Sequence, residues 1–160
     1  MTPTGQATGL RAMTAQQVID TLDLEYLEGE GCWISLLWRT VHANAIYALI
    51  TPDDFSAMHR LKEDEAWTHI AGAPARTLVL DPDGSHELIT LGTDVDAGQR
   101  PHHRIPGDCW QGTLTTGAWT LVSCVLVPAF TEFELAIEDT DFSAWAGAQQ
   151  EVASRMRKHA

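Results

Sequence analysis

The chain has 160 residues, with 22 Asp and Glu against 10 Lys and Arg, a net charge of −12, and 44% hydrophobic residues including six Trp. That length suits one domain with a true core. The acidic balance has the wrong sign for a non-specific nucleic-acid binder or for a protein drawn to anionic lipid, and the apolar content argues against disorder.

Residues 1–13 are rich in Gly and Thr and are expected to be a flexible N-terminus. They contain no apolar stretch of the secretory type, and no run of about 18 apolar residues exists anywhere. A cytoplasmic protein is expected. Thr14 and Gln17 stand at capping-box spacing, and Val18, Ile19 and Leu22 form a helical stripe that should stop near Asp23. Glu28-Gly29-Glu30-Gly31 then reads as a turn.

From Cys32 the pattern changes to short apolar or alternating runs. The segments 32–40, 44–51, 66–72, 76–81, 86–92, 118–128 and 130–137 read as strands. Pro82-Asp83-Gly84 closes a hairpin over 76–92, and Pro106-Gly107-Asp108 marks another turn. About nine or ten short strands without intervening helices predict an antiparallel sandwich or barrel. The segment 119–127 is apolar on both faces, so its outer face should be covered by a helix or a second subunit. Residues 138–160 return to helical spacing through Trp145, Ala148, Val152 and Met156 and predict a C-terminal helix. The barrel itself should occupy 14–137. Cys32, Cys109 and Cys124 form neither a zinc motif nor a disulfide framework and read as buried thiols.

The densest polar and aromatic stretch runs from Met58 to Gly72. Alternate strand residues share a face, so Glu65, Trp67 and His69 point together. If the preceding strand brings His59 to the same side, two imidazoles, a carboxylate and an indole meet inside the barrel. Such a group suits a ligand pocket and general acid–base chemistry, because a carboxylate orients an imidazole and fixes its tautomer. Within the acidic run Glu63-Asp64-Glu65, parity with Trp67 indicates that Glu65 alone turns inward. Cys109 shares parity with Gln111 and should also face the barrel, as a wall residue. His102-His103-Arg104 reads as surface or as part of a lid.

These residues resemble the first cupin motif, with His59, Glu65 and Gly72 matching and Leu61 standing at the second His position. The second motif begins at Pro106, with Asp108 in place of Gly and Gln111 in place of His. The sequence most resembles the DUF985 branch, or Cupin_5. The similar stretches are Glu30-Gly31-Cys32-Trp33, Ile46-Tyr47-Ala48-Leu49, His59-Arg60, Asp64-Glu65-Ala66-Trp67, Leu91-Gly92, Trp110-Gln111, Pro128-Ala129-Phe130 and Phe133-Glu134-Leu135. The resemblance implies an all-β jelly-roll (cupin) barrel, here with an N-terminal and a C-terminal helix, and a homodimer. Metal-binding cupins hold their ion through three His and one Glu. His59, Glu65 and Gln111 are what stands at those positions, and a neutral amide is a weak ligand for first-row ions. A set of His59, His69 and Glu65 is the other conceivable one. No cofactor is therefore expected, with a divalent metal as the alternative.

The expected function is that of a small-molecule enzyme using the barrel interior for acid–base chemistry on a small polar metabolite, of epimerase/isomerase or lyase/dehydratase type. His59 or His69 would be the base, Glu65 its orienting partner and Tyr47 a possible acid. Tyr47, Trp67, Cys109 and Gln111 are the candidate substrate-binding residues. Arg39 or Arg60 would hold an anionic group only if turned inward. The alternatives are a non-catalytic metabolite-binding cupin and a metal-dependent cupin enzyme.

Overall fold

A computed structural model describes residues 9–157; residues 1–8 of the expected flexible N-terminus and 158–160 of the expected C-terminal helix lie outside the described residues. A 3-10 turn at Gly9–Ala12 leads into helix α1 (Ala15–Thr21). Its capping box forms as expected. Thr14 Oγ1 accepts from the Gln17 backbone N–H (3.2 Å), and Gln17 Oε1 accepts from that of Thr14 (2.9 Å). These two bonds satisfy donors that a helix start leaves free.

Eleven strands follow: β1 (Glu25–Tyr26), β2 (Trp33–Arg39), β3 (Asn44–Ile50), β4 (Ser56–Leu61), β5 (Asp64–Gly72), β6 (Ala75–Leu80), β7 (His86–Leu91), β8 (His102–Ile105), β9 (Trp110–Thr115), β10 (Thr120–Val127) and β11 (Phe133–Leu135). They form two antiparallel sheets, ordered β1-β2-β3-β10-β5-β8 and β11-β4-β9-β6-β7. The expected hairpin over 76–92 is β6–β7. Strands β4 and β5 are consecutive but belong to different sheets, so the Lys62-Glu63 corner carries the chain across the barrel. This crossing sets His59 and Glu65 on facing walls.

The doubly apolar strand β10 divides its two faces. Val122 and Cys124 enter the core between the sheets, with Trp67 and Ile50. Trp119 and Leu121 lie on the outside and pack against Val18 and Ile19 of α1. The helix thus covers one end of that face, while Val127 at the other end is 53% exposed. Gly72, which ends β5, has φ +85, and a Cβ there would stand 2.4 Å from the Trp119 carbonyl oxygen. Only glycine combines that backbone with that approach.

The C-terminal segment differs from expectation. Helix α2 is confined to Gln149–Ser154 and follows a 3-10 stretch, Ser143–Ala148. Trp145 breaks the run with φ −116 and ψ 52. Phe142, Trp145 and Ala148 pack against Met58, Leu78 and Trp110, and this contact, rather than helical continuity, produces the spacing seen in the sequence. No helix among the described residues is long and apolar enough to cross a membrane.

Candidate functional site

A cavity of about 200 Å³ opens between the two sheets. Strands β2, β3, β5 and β10 supply Ile34, Ile46, Ala48, Glu65, Trp67 and Cys124 from one wall. His59 and Leu61 of β4 and Phe133 of β11 stand opposite, and Glu30, Cys32 and Phe130 enter from loops.

His59 is 2% exposed. Its Nδ1 lies 2.7 Å from the Ala57 carbonyl oxygen. A carbonyl only accepts, so Nδ1 carries the proton, and in the neutral ring Nε2 is left as an acceptor. That Nε2 stands 3.7 Å from Glu30 Oε1. Glu30 in turn accepts from the Ser56 hydroxyl at 2.6 Å, and the Cys32 thiol lies 3.7 Å from the same oxygen. The imidazole is therefore held from behind by its own strand and faced by a carboxylate.

Glu65 is 5% exposed and reaches across the sandwich, where Gln111 Nε2 donates to its Oε2 at 2.9 Å. Burial pushes the Glu65 carboxyl above its ordinary value of 4.5. Positive charge on His59 works against this, and the negative charge of Glu30 adds to it. The Trp67 indole N–H faces this region without closing a hydrogen bond. Burial also pushes the Cys32 and Cys124 thiols up, reinforced by Glu30 at Cys32 and by Glu65 at Cys124. Both are kept as thiols and are not nucleophiles.

The raised value at Glu65 fixes the sign of a pH effect. The native state retains a proton that the unfolded chain has released, so this group's stabilising contribution falls as pH rises from about 4.5 toward the folded-state value. Glu65→Gln keeps the shape and removes the titration. Thermal melts across that window should show the variant gaining on the wild-type protein as pH increases. A difference independent of pH would contradict the assignment.

Of the residues singled out in the sequence, the fold brings together His59, Glu65, Trp67 and Gln111. Gln111 is 1% exposed and stands behind Glu65 rather than in the cavity lining. Three others lie elsewhere. Tyr47 has the opposite parity to Ile46 and Ala48, so it leaves the cavity and packs in the α1 cluster. His69 points inward beside Val122 but beyond Trp67, and its Nε2 is 3.3 Å from the Ala73 carbonyl. Cys109 is buried just before β9 with Sγ 3.8 Å from Asp81 Oδ2, and its thiol is pushed up to about 11 by burial and that carboxylate. It is a core residue outside the cavity lining.

Two further readings change. Glu65 is not the only inward member of its acidic run. Glu63 is 3% exposed and accepts from the backbone N–H and hydroxyl of Thr131, at 3.0 and 2.7 Å. Of His102-His103-Arg104, His102 and Arg104 are exposed as expected, but His103 is half-buried and turned to the protein. It stacks on Trp67 with ring centroids 6.1 Å apart, and burial lowers its pKa to about 4. Glu30 was not a sequence candidate for the site. Its signal was the Glu28-Gly29-Glu30-Gly31 turn: Gly29 and Gly31 both have positive φ, and the loop so formed turns the carboxylate toward His59.

The donor set does not fit a resident metal of the usual cupin kind. Gln111 gives its amide N–H to Glu65, so only a neutral amide oxygen, a weak ligand for first-row ions, is left to it; His69 turns to Ala73, and among the described residues no group of three or more His, Cys, Asp or Glu is arranged to hold an ion. The site offers one buried imidazole acceptor, one carboxylate facing it and one carboxyl biased toward its neutral form.

The comparisons with known proteins agree with this architecture. A hypothetical protein from Leishmania major superposes with a TM-score of 0.83 at 24% identity, over 91% of this chain and 100% of that one. A protein from Shewanella oneidensis gives 0.84 at 27% identity, over 92% and 99%. A DMSP lyase from Ruegeria pomeroyi gives 0.55 at 14% identity, over 69% of this chain and 54% of that one. No curated protein matches the sequence. Residues 16–137 match the family described as Cupin superfamily (DUF985), and the chain belongs to that family, Cupin_5.

Proposed function

We propose that the protein is a small-molecule enzyme that moves a proton inside the barrel, of epimerase/isomerase or lyase/dehydratase type, without a resident metal. The observation that carries this reading is the His59 imidazole. Its Nδ1–H is committed to the Ala57 carbonyl, and its Nε2 faces the cavity beside Glu30. In this reading Nε2 takes the proton, and Glu30 stabilises the imidazolium that results. Glu65 supplies the acid, because burial favours its protonated form. Gln111 is its positioning partner. A base and an acid held on opposite walls are what proton transfer across a bound molecule requires. The DMSP lyase among the structural neighbours supports an enzyme as one use of this fold.

The competing reading is a binding module that holds a metabolite without chemistry, and the apolar walls of the cavity favour it. Incubating the purified protein with a mixture of small metabolites in D2O separates the two. An enzyme of this type should yield a new product, or a metabolite carrying deuterium at carbon, detected by mass spectrometry. A thermal shift with neither product nor deuterium would overturn the enzymatic reading in favour of binding alone.

A further inference from the structure

We infer that the cavity is built for a small organic cation with an apolar body, such as a primary amine or substituted ammonium, rather than for an anionic metabolite. This rests on the cavity being the ligand site. The ionisable side chains in its lining are Glu30, His59, Glu65 and the thiols of Cys32 and Cys124; among the described residues no Lys or Arg lines it. The two arginines singled out in the sequence as anion holders are elsewhere: Arg60 lies over the Trp110 ring and pairs with Glu134, and Arg39 is exposed at the end of β2; Arg157, behind the Glu30 loop, is committed to the carbonyls of Glu30, Asp53 and Phe55 and does not line the cavity.

The polar geometry asks for a donor. With Nδ1–H committed to Ala57, neutral His59 presents an acceptor to Glu30 Oε1, itself an acceptor, 3.7 Å away. One ammonium nitrogen between them can donate to both. If His59 is protonated instead, Glu30 balances it, and the cavity still has no positive excess to attract an anion. A carboxylate or phosphate entering this space would lie beside the Glu30 carboxylate, with no Lys or Arg among the described lining residues to offset the repulsion. The walls suit the rest of such a ligand. Trp67, Phe130 and Phe133 offer aromatic faces, whose quadrupoles attract cations, and Ile46 and Leu126 offer apolar surface. A dry cavity of about 150 Å³ accepts a six-membered ring, so about 200 Å³ holds a ring with an amino group. The net charge of −12 also raises the local concentration of cations around the protein.

Titration calorimetry with cyclohexylammonium, cyclohexanol and cyclohexanecarboxylate, at near-neutral pH and constant ionic strength, tests the inference on the full chain. The ammonium should bind about tenfold or more tightly than the alcohol, and the carboxylate more weakly than either. Glu30→Gln should remove most of that preference while the alcohol still binds. Ala48→Leu, which fills the cavity, should weaken binding of all three. Alcohol or carboxylate bound as tightly as the ammonium, and lost in Ala48→Leu, would overturn the cation preference and leave the cavity as a ligand site. Ammonium binding untouched by Ala48→Leu would overturn the inference by locating the cation elsewhere. Binding of none of the three would overturn it together with the reading of the cavity as a ligand site for molecules of this size.

Discussion

Replacing His59 by Asn is expected to lower the rate of product formation or deuterium exchange by a factor of about 10²–10⁴, the usual contribution of a positioned general base. The amide of Asn retains a donor for the Ala57 carbonyl but has no basic nitrogen to offer the cavity. The fold should survive, because His59 is a wall residue at the cavity rather than a packed centre. Melting temperature and far-UV dichroism close to wild type, together with lost turnover, are the expected pair of results. Turnover unchanged in a folded variant would remove His59 from the chemistry.

The second large effect is structural and acts through Arg155. This side chain is 3% exposed at the end of α2. Its guanidinium donates to the carbonyls of Gly112 (3.1 Å), Arg76 (3.2 Å) and Glu151 (2.9 Å), and burial lowers its pKa to about 10. Its own carbonyl accepts from the Met58 N–H at 3.0 Å, one residue before His59. The C-terminal segment is thus fastened to β4, β6 and β9 behind the site. Arg155→Met fills similar space but removes three charge-assisted hydrogen bonds from a buried guanidinium, which should cost about 3 kcal/mol. For a domain of this size that corresponds to a fall in melting temperature of about 6–12 °C. Lys62→Met is the control. It breaks the exposed Lys62–Glu132 ion pair and should cost no more than about 0.5 kcal/mol. Equal effects from the two substitutions would show that the buried guanidinium does not anchor the segment.

Features with local physical causes were legible in the sequence. The Thr14–Gln17 capping box, the Pro82-Asp83-Gly84 hairpin and the period-two stretch at Glu65 and Trp67 each depend on residues a few positions apart. Errors arose where long-range packing decides. Tyr47 sits within one residue of two cavity-lining positions, yet strand parity sends it to the α1 face. The helical spacing of Trp145, Ala148 and Val152 reflects docking on the second sheet, with a break at Trp145. Arg155 stands where a helix C-terminus favours cations, but its charge is used inside the protein rather than on the surface. Glu63 had the look of a solvated acidic run, and its partner Thr131 is 68 residues away. Glu30 stands in a glycine-rich turn and in a stretch that resembles the family, and neither assigns its carboxylate a role in the site. What faces it depends on β4 arriving from the opposite sheet.

The protonation of His59 is the most direct point of test, because it requires no knowledge of the substrate. Long-range proton–nitrogen correlation spectra of the ¹⁵N-labelled protein report which ring nitrogen carries the hydrogen, and the His59→Asn spectrum identifies the resonances. The expected result for the neutral ring is a proton on Nδ1 and a bare Nε2, as the Ala57 contact requires. A proton on Nε2 in the neutral ring would leave no base facing the cavity and would contradict the proposed chemistry.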